Sequence, residues 1–476
     1  MTSIRTSGRA WPLALVLAVV GLLALPGALQ AQQAGVRGPL ATPITLRSCE
    51  VAALVAAIEQ ANSTAATDTV VLKKGCTYWL TAGVYGNGSG PNGLPIVTAP
   101  LTIHGNGATI TRGTAADPFR LLQIQDVDVA VDHVTMSNGS AQHGGAIFTS
   151  RSLMITDSTF AYNAASRSGG AIFTWGPLSL TRDSFSQNTA ALGTPYDTGL
   201  GGGAVWTEGL VFTALDCAFT GNVGNHYGAA LALGGNTATI RHSWFALNSK
   251  GHLGVVGGGI WLEWGYATVR DSTFTQNVAD AGGGIGVEGP GRDLTVTGST
   301  FDRNTANAGG AIWLIMDPDS LATVANSTFA DNFGGDISTW PQGGVGPKGA
   351  VNVTNSTLAR TINGPALNQG TLRNTIVYGG NCGSVVLDGG GNLNFWSLGC
   401  PGISADPKLL PLASNGGPTQ TMALGSGSVA IDQAVDAICA APVGSPSFGA
   451  GGVDQRGEAR PWPKRGHCDI GAYEAR

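Results

Sequence analysis

The sequence predicts an all-β protein built as a parallel β-helix, in which short strands coil and stack on one another. A phrase of the type Asp-Ser-Thr-Phe-x-x-Asn recurs along the chain, and most copies are followed by a Gly-Gly pair. Its phenylalanines stand at 160, 185, 219, 245, 274, 301 and 329, each with an asparagine three residues on. A period of roughly 20 to 50 residues is typical of stacked repeats.

The residues between these markers indicate strands. Runs such as Leu153-Met-Ile155 and Leu294-Thr-Val296 are short and alternating, and no helical periodicity is long enough to fill a repeat. One coil per repeat gives roughly ten coils. We expect the phenylalanines to form a ladder in the core and the asparagines a ladder at a bend, with the Gly-Gly pair supplying positive φ at a tight turn.

Composition agrees with an ordered extracellular protein and excludes one class of partner. The chain has 476 residues, of which 73 are glycine, 43% are hydrophobic and 12% are charged. The hydrophobic share and the period argue for a packed core despite the glycine content. The net charge of -5 provides no basic surface, so nucleic acid is not an expected partner.

Residues 1–31 have the features of a secretory signal peptide. Arg5 and Arg9 precede the apolar run from Trp11 to Leu25, and small residues before Ala31 offer a cleavage site. An uncleaved anchor is the alternative interpretation of this run. No second run of membrane length follows, so the mature chain is expected to have no transmembrane segment and to be secreted, extracellular or at the cell surface.

Seven cysteines fit that compartment. Six of them lie near the two ends of the repeat array, and we pair them in sequential order, although six cysteines allow 15 connectivities. The expected pairs are Cys49 with Cys76, Cys382 with Cys400, and Cys439 with Cys468. Cys217 takes a position that serine holds in other repeats, so it is predicted to be a free core residue. The absence of a CxxC or Cys/His cluster argues against a metal site.

The predicted organisation has four parts: the signal peptide 1–31, an N-terminal cap 41–93, β-helix repeats 94–380 and a C-terminal module 381–476. Val51, Leu54, Val55 and Ile58 share one face of a three-turn helix that can cover the first coil. The longest insertion, 191–200, is expected to project from one turn. The tail is expected to cover the last coil, ordered by its own disulfide because it is rich in Pro and Gly.

Four motifs in the tail carry a family resemblance. They are Asn415-Gly-Gly-Pro-Thr-Gln-Thr421, Ala430-Ile-Asp432, Asp454-Gln-Arg-Gly457 and Cys468-Asp-Ile-Gly-Ala-Tyr-Glu474. Together they resemble the C-terminal module of bacterial choice-of-anchor Q surface proteins. The resemblance implies a surface location and assigns no catalytic residue.

Two further resemblances concern the rest of the chain. The Asn-Ser-Thr-Phe and Gly-Gly-Ala-Ile phrases are similar to those of chlamydial polymorphic outer membrane proteins and of other right-handed parallel β-helix proteins. The segment Ala53 to Asn62 resembles an N-terminal module named after a Cys-Ser-Leu-Arg-Glu-Ala motif, although Val55-Ala56 stand where Arg-Glu would be. These resemblances imply a right-handed coil.

Strand alternation after each Gly-Gly pair predicts two outward rows of side chains. The first row is Phe148, Phe173, Trp206, Leu231, Trp261, Gly286 and Trp313. The second row is Ser150, Trp175, Glu208, Leu233, Glu263, Glu288 and Ile315. If open to solvent, the five aromatic residues of the first row, Phe148, Phe173, Trp206, Trp261 and Trp313, suit sugar rings. The alternative is that these rings pack under the tail or a loop.

Glu208, Glu263 and Glu288 are the candidate catalytic residues. Glu263 and Glu288 would lie on adjacent coils, about 4.8 Å apart, and Glu208 two coils from Glu263. Such spacings suit a retaining or an inverting glycoside hydrolase. Solvated glutamates with no catalytic role are the more ordinary interpretation.

No metal or cofactor site is predicted. The seven histidines form no spaced set of ligands. Asp157, Asp183, Asp216 and Asp271 recur at one repeat position and leave open a Ca²⁺ ion between coils, but turn capping is the favoured interpretation.

Two functions follow from these patterns. The favoured one is a non-catalytic β-helix scaffold for adhesion, with polysaccharide, cell envelope or matrix as partner. The alternative is an extracellular polysaccharide lyase or glycoside hydrolase that acts on the outer face, by analogy of fold.

Overall fold

The computed structural model describes residues 43–190, 201–251, 254–289, 293–316, 320–341, 350–463 and 466–476. These residues form the predicted parallel β-helix, with about 11 turns. Strands of successive turns pair in parallel, so that each turn contributes one strand to each of three faces. The predicted signal peptide 1–31 and the insertion 191–200 lie outside the described residues.

The first face follows the glycine turns. Its strands are Leu122–Ile124, Ile147–Thr149, Ile172–Thr174, Val205–Thr207, Leu231–Leu233, Ile260–Leu262, Ile285–Val287, Ile312–Met316, Ile337–Pro341 and the first parts of Pro365–Arg373 and Asn381–Asp388.

The second face comes next along each coil. Its strands are Ile44–Thr45, Asp68–Val71, the first halves of Leu101–Arg112 and Val129–Ser137, Leu153–Thr156, Leu178–Thr181, Val211–Leu215, Asn236–Arg241, Gly265–Arg270, Asp293–Thr297, Leu321–Ala325, Ala350–Thr354 and the ends of Pro365–Arg373 and Asn381–Asp388.

The third face carries the phenylalanines. Its strands are Thr77–Leu80, the second halves of Leu101–Arg112 and Val129–Ser137, Thr159–Ala161, Ser184–Ser186, Ala218–Thr220, Trp244–Ala246, Thr273–Thr275, Thr300–Asp302, Thr328–Ala330, Thr357–Ala359, Ile376–Tyr378, Leu393–Phe395 and Ile403–Ser404.

Three smaller sheets complete the strand inventory. One parallel sheet lies between the third and first faces and consists of Ser140–His143, Ala164–Ser168, Thr189–Ala190, Val223–Gly224 and Ser249–Lys250. The other two are antiparallel hairpins, Tyr85–Asn87 with Gly90–Asn92 and Leu409–Ala413 with Thr421–Leu424.

The phenylalanine ladder is confirmed as the centre of the core. The seven rings from Phe160 to Phe329 are fully buried, and neighbouring rings stack with centroids 4.7 to 5.0 Å apart and planes within 8°. The ring spacing equals the strand spacing, because each ring stands directly above its copy in the next coil. Burial of these rings and their aliphatic neighbours is the main stabilising term of the coil.

The asparagine ladder is also confirmed. From Asn163 to Asn304, each amide donates to the side-chain oxygen of its copy in the next coil, as Asn163 Nδ2 does to Asn188 Oδ1 at 3.1 Å. The same nitrogen donates to a backbone carbonyl of the preceding coil, that of Met136 in the case of Asn163. The amide oxygen in turn accepts from a backbone N–H of that coil, as Asn163 Oδ1 does from Gly139. These amides satisfy backbone groups that the bend leaves unpaired.

Glycine is required at the turn into the first face for two reasons. The first glycine of the pair has positive φ, +63° at Gly169 and +59° at Gly309. The second has ordinary φ, but a Cβ on Gly170 would lie 2.1 Å from the carbonyl oxygen of Gly203 in the next coil. The pair therefore combines a left-handed turn with close backbone approach.

Helix α1, Val51–Asn62, is the predicted N-terminal cap. It buries Leu54, Ala57, Ile58 and Ala61 against the first coil. The Cys49–Cys76 disulfide joins the segment before α1 to the first strand of the third face. The other two disulfides pair as predicted, and Cys217 is free and buried.

The coil continues past residue 380, where the repeat sequence fades. Asn381–Asp388 pairs with Pro365–Arg373, and Ile403–Ser404 pairs with Leu393–Phe395. The Cys382–Cys400 disulfide therefore lies within the last turn. Parallel pairing uses backbone groups, so a coil can continue without the repeat's side chains.

The tail beyond Ser404 packs against the side of the last coils and leaves the open end of the last one uncovered. It folds back along the third face, where Gln420 O accepts from Thr300, Gln455 from Thr328, and Thr357 Oγ1 accepts from Ala472 N. Ile403 remains exposed at the end of the coil. Helix α2, Asp436–Ala440, holds Cys439, which is bonded to Cys468. The tail is thus a lateral cover over several coils.

The four tail motifs bind one another. Buried Arg460 pairs with the Glu474 carboxylate at 3.0 Å and donates to the carbonyls of Asp469 and Gly471. Arg456 pairs with Asp454 at 2.7 Å and lies over the Tyr473 ring. The Gln455 amide donates to Thr419 and to the Gln420 carbonyl. These polar residues order a segment that has little apolar core of its own.

Candidate functional site

The first outward row forms as predicted, with one correction. Parallel pairing aligns Phe148, Phe173, Trp206, Ala232, Trp261, Gly286 and Trp313. Ala232 stands in the row in place of Leu231, whose side chain points into the core. The turn before it reads Gly228-Ala229, so the second glycine of the marker is missing, but Ala232 follows Gly228 by four residues just as Phe173 follows Gly169.

The aromatic side chains of this row are covered. Phe148 and Phe173 are buried, Trp206 and Trp261 are each 2% exposed, and Trp313 is half-buried. Two covering residues precede the glycine turns: His143 contacts the Phe173 ring and Tyr227 stacks on Trp261, with ring centroids 4.9 and 4.2 Å apart. Trp175, from the second row, packs edge-on against Phe148 and Phe173.

The reason is topological: the coil returns over the outside of this row before it enters the next turn. Of the two alternatives for Phe148, Phe173, Trp206, Trp261 and Trp313, the structure has the covered rings, and a role of these residues in carbohydrate binding stays a prediction.

The second row is the accessible one, and we call it the outer row. In register it contains Ser150, Trp175, Glu208, Gly234, Glu263, Glu288, Ile315 and Trp340. Gly234 takes the place in the row expected for Leu233, which is buried. Trp175 is 49% and Trp340 65% exposed, so an exposed indole lies on each side of the glutamates.

Buried indoles orient two of the three carboxylates. Trp206 Nε1 donates to Glu208 Oε1 at 3.1 Å, and Trp261 Nε1 donates to Glu288 Oε2 at 2.7 Å. A Cβ on Gly234 would lie 3.3 Å from Glu263 Oε2 and 3.6 Å from Glu208 Cγ. The missing side chain at Gly234 thus leaves room in which the Glu263 and Glu208 side chains approach each other.

Tyr227 completes this acidic surface. Burial raises the pKa of its phenol, and the negative charges of Glu288 and Glu263 raise it further. The hydroxyl therefore stays protonated as a donor beside the carboxylates. The two rows predicted from strand alternation do not include Tyr227, because Tyr227 precedes the glycine turn. Its position directly before Gly228 is the sequence signal that could have identified it.

The three glutamates have the spacing expected of them, one and two coils apart. Glu208 is exposed, and Glu263 and Glu288 are half-buried. None is enclosed in the apolar surroundings that keep a catalytic carboxylic acid protonated in glycoside hydrolases. Their catalytic roles stay predictions.

The recurring aspartates need a correction. Arg182, not Asp183, shares the corner position of Asp157, Asp216 and Asp271, because Asp183 stands two residues before its phenylalanine and the other aspartates stand three before theirs. Arg182 binds both oxygens of Asp157, at 2.6 and 2.7 Å. The corner aspartates therefore meet charged side chains of neighbouring coils.

Asp183 instead occupies a buried row of serines. Its Oδ1 accepts from Ser158 N at 2.8 Å, the bond that Ser158 Oγ makes with Val134 N one coil earlier. Burial raises its pKa to about 7. Asp336, at the end of the asparagine ladder, has a pKa raised to about 7 for the same reason.

In the part of the chain that the structure describes, no group of three or more His, Cys, Asp or Glu side chains could hold a metal ion. Calcium binding stays a prediction. None of the described helices is both long and apolar enough to span a membrane.

Comparisons with known proteins gave a short family match and a distant structural similarity. Residues 157–174 match the family model described as the Chlamydia polymorphic membrane protein repeat. The structure is similar to endo-xylogalacturonan hydrolase from Aspergillus tubingensis, with 13% identity over 74% of this chain and 92% of that chain and a TM-score of 0.27. That score is too low to bear on substrate or activity. A comparison with curated proteins found no match.

Proposed function

We propose that this protein is a non-catalytic cell-surface or secreted scaffold that binds an extended carbohydrate polymer along the outer row. The observation that carries the proposal is the exposure of Trp175 and Trp340 in one register, with three glutamates between them. Indole faces stack on apolar faces of sugar rings, and carboxylates accept bonds from their hydroxyls.

The length of the outer row favours a polymer over a single sugar. Trp175 and Trp340 are separated by six coil spacings, or about 29 Å at about 4.8 Å each. The glutamate carboxylates disfavour polyanionic chains such as uronans, because like charges repel across a binding surface.

Several observations support the surface location. Three disulfides are typical of proteins exposed to an oxidising compartment. The repeat at 157–174 is of the polymorphic membrane protein type. We infer that residues 1–31 direct export and that the lateral tail is a module of the choice-of-anchor Q type.

A glycan array followed by calorimetry on the best polysaccharide tests the proposal. Removal of two stacking rings in Trp175→Ala, Trp340→Ala should weaken binding by at least about tenfold, at roughly 1 to 3 kcal/mol per stacked ring. The matched control is Trp79→Ala, which removes an indole that is 59% exposed on the first coil and should leave binding unchanged. Equal losses in both variants, or no polysaccharide bound by the parent, would refute the proposal.

The alternative is a polysaccharide-degrading enzyme, which the glutamate spacing favours. Reducing-end assays on neutral and acidic polysaccharides, with calcium present, compare the parent with Glu263→Gln, Glu288→Gln. Turnover by the parent that the double variant abolishes would replace the binding proposal. No turnover by either protein is the result that we expect.

A further inference from the structure

The two ends of the β-helix differ in how far their strand edges are covered. At the N-terminal end α1 packs on the first coil, and the outermost strand of the second face, Ile44–Thr45, has only two residues. At the C-terminal end the outermost strand is Asn381–Asp388, with eight residues. Among the described strands it pairs with Pro365–Arg373 alone. A long strand edge that nothing covers tends to pair with another strand.

The C-terminal edge also lacks the charges that protect most edge strands. The last coil, residues 381–404, contains one charged residue, Asp388. Its carboxylate accepts from Gly390 N and Asn392 Nδ2, so it belongs to the turn after the strand. The proline of this coil, Pro401, stands outside the strands. Charge and proline are common means of blocking an edge, so this edge is left free to pair.

Apolar side chains are exposed around the edge. Those of the last coil are Val385, Leu387, Trp396, Leu398 and Ile403. Trp396 and Leu398 are 74% and 75% exposed, in a loop that the Cys382–Cys400 disulfide ties to the edge strand. Cys382 N donates to the Leu398 carbonyl at 2.9 Å, so the free stretch of the edge lies on the second face. The Trp396 ring stacks on Phe395, with centroids 4.8 Å apart. Because this loop is already ordered, its burial against a partner costs little conformational entropy.

The geometry and size of this end favour a second copy of the chain as the partner. A strand edge is completed by another strand edge, and the C-terminal end is the uncovered one of the two described ends. A two-fold axis brings two such ends together with their strands antiparallel, so the junction continues the stacking of coils within the chain. The last coil supplies about two dozen residues, within the roughly 20 to 30 per partner of a stable interface. One carboxylate per copy leaves little charge repulsion between the two ends.

We propose that two copies of this protein associate end to end through their last coils, residues 381–404, about a two-fold axis. The second-face part of Asn381–Asp388 in each copy meets the last coil of the other in antiparallel direction. Leu387, Trp396 and Leu398 pack across the junction. The N-terminal ends, covered by α1, lie away from it.

Sedimentation velocity from about 1 to about 100 µM tests the proposal, and the parent should shift from monomer to dimer over this range. Leu387→Lys, Leu398→Lys places two lysines on each copy at the junction, so it should weaken dimerisation at least about tenfold. Val84→Lys, Leu210→Lys is the matched control, because it replaces two exposed apolar residues outside the last coil with the same charges. It should dimerise as the parent does. Circular dichroism checks that each variant keeps its β-sheet signal.

Small-angle X-ray scattering of the dimer tests its geometry. End-to-end association should give a maximum dimension about twice that of the monomer. A value close to the monomer's would indicate a side-by-side dimer and would overturn the proposal. It would also be overturned by a parent that stays monomeric throughout the range, by parent-like dimerisation of Leu387→Lys, Leu398→Lys, or by an equal loss of dimer in the control.

Discussion

The same corner of the β-helix carries different side chains in its two halves. This corner joins the second and third faces, and its residues have positive φ in every coil compared. In the N-terminal half they are His133, Asp157, Arg182, Asp216, His242 and Asp271. In the C-terminal half they are Gly298, Asn326, Asn355 and Asn374. The backbone is alike, so the difference lies in what each half meets outside.

Charged corner residues bind one another at the surface. His242 lies 3.4 Å from both Asp216 and Asp271, and Arg182 pairs with Asp157. The asparagines instead bind the tail, as Asn355 does the Asp469 carbonyl. A charge left unpaired beneath the tail would lose its hydration, whereas a neutral amide can be satisfied by carbonyls. The tail therefore determines where charge is tolerated.

The largest expected effect comes from a change that releases the tail from the third face. Arg460→Met leaves the Glu474 carboxylate buried without its cation, which should destabilise the tail by roughly 3 to 5 kcal/mol. Hydrogen exchange should then rise at the tail amides of Gln455, Gly471 and Ala472, while the N-terminal half of the β-helix keeps its protection. Adding Glu474→Gln to Arg460→Met should restore part of the lost protection against exchange. Unchanged exchange in Arg460→Met would show that the pair does not hold the tail.

The second prediction concerns Asp183, in the N-terminal half of the β-helix. The pKa of Asp183 is raised to about 7, so the protonated carboxyl stabilises the fold at low pH, and this contribution is lost as pH rises through about 7. Asp183→Ser introduces the serine that the same buried row has in other coils. It should stabilise the protein above pH 7 by up to roughly 4 kcal/mol and have little effect near pH 4.

Denaturant unfolding of Asp183→Ser and parent at pH 4 and pH 8 measures this difference. Because Asp336 also titrates near pH 7 in both proteins, it cancels from the comparison. A gain that is equal at both pH values would contradict a cause in the buried carboxylate.

The third prediction concerns the tail disulfide, whose contribution to the free energy of unfolding is expected to be slightly smaller than the effect at Asp183. Closing the loop between Cys439 and Cys468, 29 residues apart, lowers the entropy of the unfolded tail. In the chain-entropy account this stabilises the folded tail by roughly 3 to 4 kcal/mol. In Cys439→Ser, Cys468→Ser, limited proteolysis should cut after about residue 401 while β-sheet circular dichroism persists. Detachment of the tail should uncover the third face, not the end of the coil. Equal protease resistance in parent and variant would disprove it.

The smallest effect compares the two halves at one matched position. Asn355→Gly keeps the positive φ, as Gly298 does naturally, and removes the bonds to Asp469 O and Cys439 Sγ. We expect a loss of about 1 to 2 kcal/mol in tail protection by hydrogen exchange. Asp216→Gly is the control in the free half and should leave tail exchange unchanged. Tail exchange that rises equally in both variants would mean that corner chemistry is not specific to the cover.

The sequence alone determined the coil. Short alternating strands between residues repeated at a fixed period predict a parallel β-helix, so the Phe and Asn ladders, the glycine turn and α1 could be predicted from spacing and turn chemistry. The sequence left 15 disulfide connectivities open. The rows of the first face followed from strand alternation, except in the coil whose turn reads Gly228-Ala229, where Ala232 and Gly234 are the outward residues.

Only the tertiary structure decided which outward residues meet solvent. Alternation distinguishes inside from outside the coil, but it does not reveal that Tyr227 returns over Trp261 or that the tail lies over Thr328. Both contacts join segments whose separation in sequence carries no periodic signal, the second of them 127 residues apart. Burial on the outer surface depends on these long-range contacts, and so the accessible site moved from the aromatic row to Trp175 and Trp340.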